Sequence, residues 1–383
     1  HYGAKEYERL RHAMHTTVII TAILSVIATI LGIVLTKPLL GLMNTPEDVM
    51  GEAHTYLTIY FAGITGLLIY NMGSGVLRAV GDSRRPLYFL CVSAALNVVL
   101  DLLFVIAFGL GVAGVAYATI ISQFVSAGLV LISLSRGDKP YTIHWHKMRI
   151  APDELKEIIR IGMPSGLQQA ITSFSNVFVQ SYINFYGTAC MAGWSSYSKL
   201  DIFILIPVQS ISLASTTFVG QNYGAGKLGR AREGVRQTLI FSLIITAILC
   251  VLLIVFRVPL LMLFNDEKEV IDFGARFIAM ISPFYVLICF NQIYAGALRG
   301  IGISRTPTLI MLFSFVVFRQ LYLFVNRLLG QYFVLTALAY PAGWLACSIL
   351  MIIAYRRCPL VKHTYQAESE ELLAGNTTAN PES

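Results

Sequence analysis

The chain has 383 residues, of which 56% are hydrophobic and only 13% charged, with a mean hydropathy of +0.68. So apolar a chain with so few charges is not an ordinary soluble domain and reads as an integral membrane protein. A net charge of +7 does not imply nucleic acid, because most Lys and Arg lie in short polar segments between apolar runs and form no basic patch.

In chain order, the polar stretch YGAKEYERLR at 2–11 precedes an apolar run that predicts a membrane span near 13–36. PLLGLMNTPEDV at 38–49 closes it, and a second span near 53–75 carries Asn71, a candidate for a substrate cavity. The turn LRAVGDSRRP at 77–86 leads into a span near 87–108 holding Asn97 and Asp101, and the next, near 111–134, holds Thr119. Asn97 and Asp101 are one helical turn apart on one face. At about 1.5 Å per residue, Asp101 lies roughly 10 Å below the outer end of its helix and Thr119 roughly 12 Å below the start of the next, which brings carboxylate, amide and hydroxyl to one depth. An ionisable residue at membrane depth is costly and marks a pathway by default. An oxygen cluster of this kind suits a proton or a small cation; a bond from Asp101 to a neighbouring helix is the plainer alternative.

A polar linker follows at 135–160, in which PDELKEIIRIG predicts a short amphipathic helix with Pro and acids in its first turn. His144 and His146, without further ligands nearby, read as loop residues. The second half predicts six spans. The first, near 161–187, carries the amides Gln168, Gln169, Asn176, Gln180 and Asn184. The next, near 190–219, carries Lys199 and Asp201, which are two apart and do not face each other on a helix. Both a cavity role and a structural ion pair fit that pair, since burial without partners is expensive. A span near 235–257 follows, then one near 273–297 with Asn291 and Gln292, one near 307–327 with Arg319 and Arg327, and a last near 332–354. The amides fit a cavity lining or interhelical hydrogen bonds, and the two arginines are expected to pair or to snorkel to an interface. Pro164, Pro207, Pro283 and Pro341 fall within spans and predict bends. Residues 355–383 read as a polar, disordered tail. The six cysteines show no metal-ligand spacing and read as packing residues. QNYGAGKLGRAR is not a P-loop: Lys227 precedes Leu228, and five residues separate Gly220 from Gly226.

Three segments of the first half recur 221 positions later: LRAVGDSRRP as LRGIGISRTP at 298–307, YGAKEYERLR as YGAGKLGRAR at 223–232, and PLLGLMNTPEDV as PLLMLFNDEKEV at 259–270. One constant offset makes this an internal duplication. Two spans precede YGAGK in the second copy and none precedes YGAKE in the first, so an intact protein is expected to hold twelve helices, of which ten are present. Equivalent points are six crossings apart, which makes the repeat parallel. Two pseudo-symmetric helical lobes, 1–134 and 161–354, form the usual framework for alternating access, with substrate bound between them. With 21 of the 28 Lys and Arg in alternate polar segments, the positive-inside rule places both ends of the chain in the cytoplasm.

TFVGQNYGAGK, LRAVGDSRRP and the GVAGVAYATIISQ helix together resemble the multidrug and toxic compound extrusion (MATE) family, and within it the DinF-like bacterial branch. The resemblance implies a secondary antiporter of the bacterial plasma membrane that exports organic, cationic or otherwise amphiphilic compounds in exchange for H+ or Na+. It also implies no cofactor, no enzymatic activity, no nucleic acid partner and a monomeric state. Asn97, Asp101 and Thr119 match the first-lobe cation site of that branch, with Na+ the one metal to be expected, at Asp101. That site also uses an aspartate on the first helix, which lies outside this sequence. A lipid or lipid-linked oligosaccharide flippase of the same superfamily and a non-transporting remnant are the alternatives; the flippase fits less well, because most Lys and Arg lie in loops.

Overall fold

The structure is a computed structural model that describes residues 1–43 and 45–361. Among these residues it is helical and contains no strand. It divides into two compact units, His1–Ile158 and the chain from Ile159 onward.

The first unit contains α1 (Tyr7–Leu42), α2 (Glu47–Ala62), α3 (Ile64–Ala79), α4 (Arg84–Leu102) and α5 (Gly111–Ser135). α1 has an apolar outer face, with Ile23, Val26, Ile27, Ile30 and Val34 exposed; only lipid makes such a surface stable. Its inner face places Met14 and Val18 against Leu77 of α3 and Val130 and Leu134 of α5, and Tyr141 and Ile143 of the linker close this cluster. The linker is tied down on α1: the amide of Ala151 donates to Thr16 Oγ1 (3.0 Å), and the amide of His144 donates to His15 Nε2 (3.3 Å). Buried Glu154 accepts from Arg9 Nε at 3.1 Å.

Among the described residues, eight helical segments are long and apolar enough to cross a bilayer, and α2 with α3, bent by 46°, makes a ninth if the pair is one span. The bend falls at Gly63, where an added Cβ would overlap the Ile120 side chain of α5 at 2.4 Å. The tenth expected span, 161–187, lies in α6 (Pro152–Asn184), which is long enough at 33 residues but carries too many amides to qualify. α6 also corrects the reading of the linker: the expected short amphipathic helix and this span are one continuous helix from Pro152, with Pro164 inside it.

The duplicated segments adopt the same turns. After α3, the amide of Asp82 donates to Leu77 O (2.9 Å) and that of Gly81 to Arg78 O (2.9 Å); Ile303 to Leu298 (2.9 Å) and Gly302 to Arg299 (3.0 Å) repeat the pattern. Gly81 has φ 90° and Gly302 φ 83°, a conformation that costs a side chain about 1–2 kcal/mol. The YGAKE and YGAGK segments agree as well, Lys5 at φ 59° taking the place of Gly226 at φ 72°.

The second unit continues with α7 (Thr188–Gly224), α8 (Leu228–Val255), α9 (Arg257–Met262), α10 (Lys268–Ile281), α11 (Tyr285–Gly300), α12 (Arg305–Leu312), α13 (Arg319–Leu328), α14 (Phe333–Ala337) and α15 (Ala339–Arg356). α7 and α11 approach closely through small residues, the usual device for packing helices in lipid. A Cβ on Gly296 would lie 2.8 Å from Ser212 O and Thr216 Oγ1. Pro283 sits in a 3-10 turn, Ser282–Phe284, between α10 and α11. π-helical turns occupy Leu103–Ala107 after α4 and Phe313–Phe318 between α12 and α13.

Five of the cysteines are buried, Cys91 is exposed, and all are free. The expected tail begins later than residue 355: α15 runs through Arg356, and Cys358, Leu360 and Val361 are buried. Burial pushes the Cys358 thiol above its usual range. Residues 362–383 of the expected tail lie outside the described residues.

Candidate functional site

In the second unit a cleft of about 390 Å³ opens among α6, α7, α11, α13, α15 and the π-turn. Seven residues expected at a cavity line it: Gln168, Gln169, Asn176, Gln180, Asp201, Asn291 and Gln292. They converge because Gln168, Asn176 and Gln180 recur at multiples of four on α6, so that one stripe of that helix lines the cleft. Three expected cavity residues lie elsewhere. Lys199 is exposed, with its ammonium over the Phe264 ring at 5.2 Å. Two residues along α7 turn its side chain by roughly 200° away from Asp201, and no ion pair joins the two. Asn184 is exposed and accepts from Gln180 Nε2 at 2.8 Å. Asn71 is exposed on α3, in the first unit.

The cleft also has residues that the sequence did not single out. Trp194, Tyr197, Tyr340 and Trp344 form an aromatic wall, with Trp194 and Tyr340 at 5.4 Å and Tyr340 and Trp344 at 6.2 Å between centroids. Phe174 and Phe178 are exposed on α6, outside the cleft.

Arg319 corrects the expectation of pairing or snorkelling. It is 3% exposed, lines the cleft, and has no carboxylate partner. Nη2 donates to Asn176 Oδ1 at 2.7 Å and Ser175 Oγ at 3.3 Å, the guanidinium lies 4.7 Å from the centre of the Tyr340 ring, and Nε is buried without an acceptor. The π-turn ends at the residue before Arg319. Such a turn releases a backbone carbonyl from the α-helical ladder, and Phe315 O accepts from Ser175 Oγ at 3.3 Å. Gln320 Nε2 donates to Ser175 O at 3.1 Å, so α6 is held against the turn. The signal for Arg319 was present in the sequence, since an arginine inside an apolar span is a site candidate by default; its position near the middle of the segment was the missing weight.

Asp201 terminates a hydrogen-bonded chain. Tyr285 Oη donates to Asp201 Oδ1, and the Tyr197 hydroxyl lies 2.8 Å from that of Tyr285 and also reaches Asp201, one turn along α7. Asn291, fully buried, donates to Trp344 O at 3.2 Å and accepts from Ser348 Oγ at 2.9 Å. Arg299, from the repeated turn, donates through Nη2 to Gln168 Oε1 at 2.9 Å.

In the first unit, Asn97 and Asp101 lie on α4, which packs on α5. Asn97 Nδ2 and Asp101 Oδ1 are both shut away from solvent with no partner among the described residues. Thr119 Oγ1 on α5 donates to Val115 O of its own helix at 2.9 Å. No hydrogen bond links the three side chains. The π-turn Leu103–Ala107 begins two residues after Asp101, so a wide turn stands beside Asp101 in the first unit as one does beside Arg319 in the second.

The MatE family matches residues 1–103 and 164–325. The chain is similar to probable multidrug resistance protein YoeA of Bacillus subtilis (strain 168), at 30% identity over 92% of this chain and 78% of that protein. It is 32% identical to probable multidrug resistance protein YpnP of the same organism, over 75% of this chain and 64% of that protein. A solved structure described as the outward-facing conformation of a multidrug resistance MATE family transporter of the MOP superfamily shares the fold, with a TM-score of 0.86 and 22% identity over 92% of this chain and 80% of that one. Duplicated turns, two helical units and sequence similarity across most of the length agree: the chain belongs to the MatE family of multi-pass membrane transporters.

Proposed function

We propose that the protein exports amphiphilic organic compounds across a bacterial plasma membrane as a secondary antiporter working by alternating access, in exchange for H+ or Na+. The observation that carries this reading is the second-unit cleft. Its volume of about 390 Å³ falls in the range that takes a drug-sized ligand, and its aromatic wall stands beside amides, Asp201 and Arg319 that can orient the polar groups of such a ligand. The names of the two Bacillus subtilis relatives point the same way.

Coupling is assigned to Asp101, with Asn97 and Thr119 as neutral oxygen donors. Two unpartnered buried polar atoms on adjacent turns of one helix favour a small cation or proton, because either would relieve the cost of leaving them unpaired. The same reading places His1 and Val361 on the cytoplasmic side and treats the protein as a monomer of the DinF-like branch.

The test is transport in proteoliposomes. Purified protein is reconstituted and a panel of fluorescent organic compounds of either charge is followed under an imposed proton gradient and, separately, a sodium gradient, with Asp101→Asn alongside. Gradient-driven transport that the variant loses is the expected result. Transport unaltered by Asp101→Asn would remove the assignment of the ion site, and none under either gradient would refute antiport.

A further inference from the structure

The cation on the wall of the second-unit cleft has no counter-charge among the described residues. Arg319 is 3% exposed, and burying an ion without a paired charge is costly. Its partners are all neutral: an amide oxygen, a hydroxyl and an aromatic face. Asp201 lines the same cleft but its carboxylate is engaged by the Tyr197–Tyr285 chain, and no ion pair joins it to Arg319 among the described residues. The two charges are held on separate supports.

A guanidinium presents five N–H donors in a planar fork, and one nitrogen of Arg319 makes both of its hydrogen bonds. The Tyr340 ring centre lies 4.7 Å from the guanidinium carbon, and the N–H groups other than those of Nη2 remain for further bonding. A carboxylate or similar oxyanion matches that fork bidentately and brings the missing charge. An aromatic body attached to it would stack on Trp194, Tyr340 and Trp344. We propose that this cleft selects aromatic cargo bearing an oxyanion, a carboxylate in the first instance, with Arg319 as the specificity-determining residue. The proposal rests on the cleft being the cargo site and departs from the cationic cargo implied by resemblance.

Two of the three tryptophans of the chain, Trp194 and Trp344, line the cleft, so their emission reports its occupancy. Quenching of the purified full chain by energy transfer is titrated with 1-pyrenecarboxylate, with the neutral 1-pyrenecarboxamide and with 1-pyrenemethylammonium. A hydrogen bond to a charged group contributes about 1.5–3 kcal/mol, which converts to a preference of about tenfold or more for the carboxylate. Arg319→Gln should abolish that preference while keeping binding of the ammonium compound, and Arg319→Lys should keep part of it. Equal or tighter binding of the ammonium compound by the unaltered protein overturns the proposal, whether or not the variants fold. Carboxylate preference without gradient-driven transport would refute the export reading and uphold this one; transport of cations with no carboxylate binding would do the reverse.

Discussion

Tyr285→Phe is expected to destabilise the second unit more than Tyr197→Phe, although each removes one hydroxyl from the same buried pair. Tyr285 is fully buried and Tyr197 is 3% exposed. In the chain Tyr197 to Tyr285 to Asp201, the outer bond is neutral and the inner one ends on a carboxylate. Neutral side-chain bonds between membrane helices contribute about 0.6 kcal/mol on average, whereas one to a charged group contributes about 1.5–3 kcal/mol. Losing the Tyr197 hydroxyl leaves Tyr285 still donating to Asp201 and should cost less than about 1 kcal/mol. Losing the Tyr285 hydroxyl removes the nearer donor to Asp201 and leaves Tyr197, one turn away on α7, as the remaining one, for a cost of about 1.5–3 kcal/mol. In an Asp201→Asn background the acceptor stays but its charge is gone, so Tyr285→Phe should cost about 1.5 kcal/mol less than in the unaltered protein. The assay is reversible unfolding in mixed micelles, with the three single variants and the double variant forming a cycle. If Tyr285→Phe costs no more than Tyr197→Phe, or the cycle shows no coupling to Asp201, the charged end of this chain is wrongly assigned.

Packing and turn geometry yield two further predictions. Gly296→Ala places a Cβ 2.8 Å from Ser212 O and Thr216 Oγ1 and should lower stability by about 1–3 kcal/mol, while Gly128→Ala in α5, with nothing within 4 Å, should raise it by about 0.5–1 kcal/mol; thermal unfolding in detergent with opposite signs for the pair is the result to look for. Gly81→Ala and Gly302→Ala should each cost about 1–2 kcal/mol, by amounts that agree, since both residues have positive φ in the same turn. Lys5→Gly should stabilise by up to about 1 kcal/mol, because it supplies at φ 59° the residue that stands at Gly226 in the other copy; clearly unequal costs for the two glycines would contradict the structural equivalence of the turns.

Much of this molecule is written in local chemistry, and such features were legible in the sequence. Long apolar runs require lipid wherever they pack, so eight of the ten expected spans stand as crossing helices. The repeated turns depend only on a glycine at a left-handed position and a few neighbouring backbone bonds, so equal sequence gave equal geometry at Gly81 and Gly302. The amides of α6 marked a polar stripe whose members, apart from Asn184, do line the cleft.

What the sequence could not decide was which side of each helix faces inward. α7 is apolar nearly all round, so its periodicity does not separate Asp201, turned into the cleft, from Lys199, turned out of it. Arg319 reads as a side chain free to snorkel until the π-turn before it and the Asn176, Ser175 and Tyr340 contacts fix it on the cleft wall. Nor does spacing alone show that α6 begins at Pro152 and runs unbroken through Pro164, since a proline permits a break without requiring one. By itself the sequence determined the spans, the duplication and the turns, because these follow from transfer into lipid and from backbone conformation within a few residues. Only the tertiary structure decided the composition of the cleft, because side chains more than 100 positions apart meet there through helix rotation and packing.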